Sequence, residues 1–97
     1  MTINCQEILF SGHAVQRMFQ RGLTTKEIQE VIESGEIIAD YPDDMPFPSY
    51  LILHWIQDRP IHVVVAVDSE NLRCLVITAY IPQPYQWNPD FKSRRKS

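Results

Sequence analysis

Three apolar runs crowd the second half of the chain: Ser49–Ile56 (SYLILHWI), Ile61–Asp68 (IHVVVAVD) and Leu72–Ile81 (LRCLVITAYI). Only Gln57-Asp58-Arg59-Pro60 and Ser69-Glu70-Asn71 separate them. Connections this short join antiparallel strands, because a parallel crossover needs a dozen or more residues. The chain is therefore committed to a meander, with the nearly all-apolar middle run as a central strand covered on both faces. Glu36–Tyr41 (EIIADY) reads as a further short strand, and the loop Pro42 to Pro48 that follows carries too many prolines to donate a full ladder. Residues 5–10, CQEILF, suit either an edge strand or an extended lead.

Two helices precede the sheet. Ser11 to Gly22 (SGHAVQRMFQRG) has a capping serine at one end and a glycine for the left-handed stop at the other. At about 100° per residue, His13, Arg17, Gln20 and Arg21 share one arc, and Ala14, Val15, Met18 and Phe19 share the opposite one. Thr24 followed by Glu27 makes a capping box for a second helix, with Ile28, Val31 and Ile32 on its apolar face and Ser34-Gly35 as its stop. Met18 and Phe19 are expected to meet Ile28 and Ile32 beneath the sheet. The predicted fold is α+β: two N-terminal helices on an antiparallel sheet of three or four strands.

A chain of 97 residues holds one core. Residues 1–90 are expected to form a single domain, with Tyr85 and Trp87 packed onto it, and 91–97 a basic, flexible tail. Cys5 and Cys74 fit no metal or redox spacing, and the N-terminus has no export pattern, so the expectation is a reduced, cytoplasmic protein without a membrane span. Net charge is −3, but its distribution is uneven. Acid gathers from Glu27 to Asp44; base gathers at Arg17, Arg21 and the Lys92–Lys96 end.

The blocks HAVQRMFQRGLTTKEIQEVI, YPDDMPFPSYLIL, RPIHVVVAVD and ITAYIPQPYQW, in that order, resemble an uncharacterised bacterial and archaeal domain family. Its signature is an HAxxRM helix followed by RG and a TxYxP…W ending. More distantly, two helices followed by a meander look like the RelE and BrnT type of toxins from toxin–antitoxin pairs. That second resemblance implies a RelE-like fold, RNA as substrate and an antitoxin protein as partner. Such toxins are usually basic, whereas this chain is acidic.

The function expected on these grounds is metal-independent RNA cleavage, which needs a group to take the 2′-hydroxyl proton, another to protonate the leaving oxygen, and cations around the phosphorane. His13 is the candidate base or acid, Arg17 the clamp, and Tyr80 a further catalytic group. Arg21, Gln20, Thr78 and His62 are candidate RNA contacts. By strict alternation Thr78 and Tyr80 share a face with Cys74 and Val76. The four-residue link also allows His54 and His62 to be cross-strand neighbours. No metal site or cofactor is expected, since neither histidine has ligands at suitable spacing. The competing expectation is a non-catalytic domain that binds a protein partner through the acidic second helix and the Pro42–Pro48 loop.

Overall fold

In the computed structural model, which describes residues 3–96, the elements run β1 (Glu7–Phe10), α1 (Gly12–Arg21), α2 (Thr25–Ser34), β2 (Glu36–Tyr41), β3 (Ser49–Ile56), β4 (Arg59–Asp68) and β5 (Arg73–Tyr80). The α+β class holds. The sheet, however, has five strands in the order β1-β5-β4-β3-β2, and it is mixed rather than antiparallel. β2 to β5 form the expected antiparallel ladder, while β1 lies parallel to β5, Glu7 opposite Arg73 and Phe10 opposite Val76. Four residues of mixed polarity carry too little pattern to name their partner, so only the tertiary fold reveals this strand. No helix among the described residues is long and apolar enough to cross a membrane.

Local chemistry sets the helix ends. The Ser11 side chain accepts from the Ala14 amide at 3.0 Å and donates to the Ile77 carbonyl at 3.1 Å, so one hydroxyl both caps α1 and ties it to β5. Gly22 ends α1 at φ 67°, a left-handed conformation that glycine adopts without strain. In α2 the Thr24 hydroxyl accepts from the Glu27 amide and the Glu27 carboxylate accepts from the Thr24 amide, as the capping box requires. Gly35 then turns the chain into β2, in a space where a Cβ would press on the Val31 carbonyl and lie 2.8 Å from that of Leu53.

Both helices cover one face of the sheet. Ala14 and Met18 from α1 and Ile28, Val31 and Ile32 from α2 are buried against Ile52, Ile61, Val63, Val65, Cys74, Val76 and Ala79. The expected wider stripe on α1 is not used: Phe19 is 88% exposed and Val15 is exposed beside it. α1 lies over β5 near the side of the sheet, so only a narrow line of its surface meets strands.

A bulge in β5 overturns the alternation read from its sequence. The pairing passes from Val65 opposite Val76 to Val64 opposite Thr78, leaving Ile77 without a partner. One extra residue exchanges the faces. Cys74, Val76 and Ala79 therefore point to the helices, and Leu75, Thr78 and Tyr80 to the other side. The Ile77 carbonyl that the bulge releases is the one Ser11 binds. The β3–β4 link is also tighter than four residues: Ile56 pairs with Arg59 around Gln57 and Asp58, both at positive φ. Leu53 rather than His54 then faces His62, so the two histidines occupy opposite faces. His54 instead meets Glu30 of α2 at 3.1 Å.

Cys5 and Cys74 are joined as a disulfide, with Cα atoms 5.6 Å apart at a sequence separation of 69. This replaces the expectation of two reduced thiols. The bond fastens the lead into β1 to the start of β5, where β1 takes its pairing.

Candidate functional site

The second face of the sheet is organised around His62. It stands opposite Tyr80 across the β4–β5 ladder and is fully buried. Its Nε2 lies 2.8 Å from the Phe91 carbonyl, and a carbonyl can only accept, so Nε2 carries the hydrogen. Nδ1 is then the acceptor, and the Tyr80 hydroxyl, 3.2 Å away, donates to it. The Tyr80 and Trp87 rings stand edge-on to the imidazole at 5.2 and 4.5 Å between centroids. Burial pulls the His62 pKa below its ordinary 6.5; the Phe91 carbonyl opposes that shift and the Arg94 charge adds to it. The Tyr80 phenol is pushed up by burial, against the pull of Arg94.

This neutral, enclosed imidazole has a measurable consequence. An unfolded chain takes up a proton at His62 near pH 6.5, while the folded protein takes it up only at lower pH. The folded state should therefore keep its full contribution from His62 above pH 6.5 and lose it on acidification, by up to ~1.4 kcal/mol per pH unit. Thermal melts between pH 7.5 and 5.5 should show this decline, and His62→Gln should lack it. An equal decline in both proteins would contradict the assignment.

The segment that covers His62 folds back on the domain. Arg95 donates its amide to the Gln86 carbonyl at 3.0 Å, Asn88 donates to Ser93 at 2.9 Å, and Trp87 bridges Arg94. Phe91, at φ 58°, reverses the chain and sets its ring 5.5 Å from Trp55. Lys92 pairs with Glu36 at 3.0 Å. Phe91 to Arg95, part of the tail expected from residue 91 onward, are thus tied by hydrogen bonds to His62 and to residues 84–90 while Lys92 to Arg95 stay exposed, and Ser97 lies outside the described residues. Of the two aromatic residues expected to pack, Trp87 is buried and Tyr85 is 73% exposed.

Beside this hairpin lies a groove of about 290 Å³ whose walls include Arg21, Tyr80, Gln83, Gln86, Trp87 and Arg94. The Arg94 guanidinium rests 4.7 Å above the Trp87 ring, which holds it in place. Among the described residues neither Arg21 nor Arg94 has a carboxylate at ion-pairing distance.

The predicted site residues distribute as follows. Arg21 and Tyr80 come together in the groove. His13, Arg17 and Gln20 are exposed on α1, with Arg17 donating to Gln20 at 3.3 Å. A rise of 1.5 Å per residue puts His13 about 12 Å from Arg21 along the helix. Among the described residues no hydrogen bond links His13 or Arg17 to Thr78 or Tyr80. Thr78 sits on the second face opposite Val64, and His62 is enclosed beneath Tyr80 and Trp87 rather than open to a ligand. No group of three or more metal-ligating side chains occurs among the described residues.

Residues 10–81 match the domain of unknown function DUF4258. The chain belongs to this family. The matched stretch spans the helices and β2 to β5, so the DUF4258 domain supplies Arg21 and Tyr80 to the groove. Gln83, Gln86, Trp87 and Arg94 come from beyond it. Neither curated proteins nor solved structures provide a match. Sequence reasoning missed Arg94 and Gln86 because the prolines at 82, 84 and 89 suggest irregular chain. The usable signal was a tryptophan and a phenylalanine among those prolines, which are costly to leave in water.

Proposed function

We propose that this DUF4258 domain is a toxin-like, metal-independent endoribonuclease with a RelE-like architecture, restrained by an antitoxin protein. The observation that carries the proposal is the continuity of one cationic arc: His13, Arg17 and Gln20 are exposed on α1, and Arg21 extends the arc into the Tyr80 groove. Single-stranded RNA laid along that arc would place phosphates against guanidinium groups, which suit their geometry. His13 takes the proton of the 2′-hydroxyl as that oxygen bonds to phosphorus, the phosphorus–5′-oxygen bond breaks with the departing oxygen protonated by water, Arg17 stabilises the phosphorane, and Arg21 with Gln20 holds the neighbouring backbone. Tyr80, whose hydroxyl proton is engaged by His62, orients substrate rather than supplying the proton. Thr78 lies two ladder positions behind it on the same face and supports that strand end.

The purified protein, with a chelator present, should cleave an RNA oligonucleotide, and His13→Ala should slow cleavage by roughly 10²- to 10⁴-fold. Induced expression should arrest bacterial growth, with relief by the same substitution. Intact RNA and unaffected growth would overturn the proposal. A partner-binding domain is the second reading, favoured by the exposure of Phe19 on α1 and of Met45, at 83%, in the Pro42–Pro48 loop. Under that reading growth and RNA would both be indifferent to the protein.

A further inference from the structure

The groove at the end of β5 has one wall from the DUF4258 domain and one from the C-terminal hairpin. Its charged groups are uncommitted. Lys92 pairs with Glu36, and the Arg95 Nε donates to the Pro84 carbonyl, whereas Arg21 and Arg94 face the groove without a carboxylate partner among the described residues. Arg94 is also preorganised, because it lies on a tryptophan ring that is itself wedged against His62. Two guanidinium groups across one small groove favour an anion with several acceptor oxygens, such as a phosphate diester.

Tyr80 adds a second kind of recognition. The Phe91 carbonyl fixes the hydrogen of His62 on Nε2, so Nδ1 must accept and the Tyr80 hydroxyl must donate to it. The phenol proton is thereby used inward. What remains to a ligand is the phenol oxygen as an acceptor, and an acceptor next to two cations matches a group that donates a hydrogen bond while sitting beside a phosphate. In a nucleic acid that group is the ribose 2′-hydroxyl, which RNA has and DNA lacks. The depressed pKa of His62 keeps this arrangement in place at neutral pH.

We propose that the groove is a ribose-phosphate subsite selective for RNA, in which Arg21 and Arg94 hold a phosphate and the Tyr80 oxygen accepts from the adjacent 2′-hydroxyl. The subsite deepens the RNA reading given above, yet it concerns binding and stands whether or not the bound strand is cut. It also assigns a role to residues 82–96: they close the groove and deliver Arg94.

Fluorescence anisotropy of the full chain with labelled single-stranded RNA and DNA of one sequence tests this, with melting temperatures to verify that each variant is folded. RNA should bind about fivefold more tightly than DNA, one hydrogen bond's worth. Tyr80→Phe should bring RNA down to the DNA level, and Arg94→Gln should weaken both by about tenfold. Retained discrimination in Tyr80→Phe, or unchanged affinity in folded Arg94→Gln, would overturn the subsite. RNA bound in this pattern but never cleaved would leave the subsite standing and remove the nuclease. Cleavage that persists while both variants bind like the wild type would do the reverse.

Discussion

Replacing Trp87 by alanine should destabilise the domain by about 3–5 kcal/mol, the usual cost of deleting a buried aromatic side chain. Trp87 is only 5% exposed. Its ring does two things at once: it stands against His62 and carries the Arg94 guanidinium, beside the backbone bridge that joins the same two residues of the hairpin. Removing it opens His62 to water and releases the segment that supplies the Phe91 carbonyl. For a domain of this size each kcal/mol moves the melting temperature by roughly 4–8 °C, so the loss should be plain in a thermal or urea melt. Tyr85→Ala, two residues away and mostly in solvent, should change stability by less than ~0.5 kcal/mol. If both variants melt alike, the C-terminal hairpin does not form part of the folded domain.

Reduction of the Cys5–Cys74 bond should cost about 4 kcal/mol. The bond closes a span of 69 positions, and loops between roughly 15 and 100 residues restrict the unfolded chain by about 3 to 4.7 kcal/mol. The loss should be largest near β1, because Cys74 is buried on β5 opposite Ile8 and the bond is what fixes the chain ahead of that strand. Urea unfolding with and without a thiol reductant measures the difference, and hydrogen exchange should show the Glu7–Phe10 amides opening first. Identical unfolding curves would mean that the strand is held by its ladder and by Ile8 and Phe10 alone. The same comparison bears on compartment, since a thiol-reducing cytoplasm would favour the reduced form.

The ladder from β2 to β5 was legible because short turns and apolar runs admit few alternatives, and both helices were legible because their caps are side-chain chemistry within four residues. Three features were not. The β5 bulge arises from a pairing choice made against β4, so no single-strand pattern could place Thr78 and Tyr80 on the correct face. β1 takes its partner from the far end of the chain. The apolar arc of α1 was broader than the strip that meets the sheet, which leaves Phe19 outside. Arg21 and Tyr80, both named from spacing and chemistry, line the same groove. Arg94 was hidden because its position depends on a hairpin held by Phe91 and Trp87 rather than by any regular periodicity.

The most direct measurement is the salt dependence of affinity for a single-stranded RNA oligonucleotide. If Arg17 neutralises one phosphate and Arg21 with Arg94 neutralise another, the logarithm of the binding constant should fall against the logarithm of salt concentration with a slope of about −1.4, at ~0.7 per phosphate on a single strand. Replacing Arg21 and Arg94 together by glutamine should bring the slope to about −0.7. A slope near zero for the wild-type protein, or one that the double substitution leaves unchanged, would contradict a cationic RNA-binding surface running from α1 into the groove.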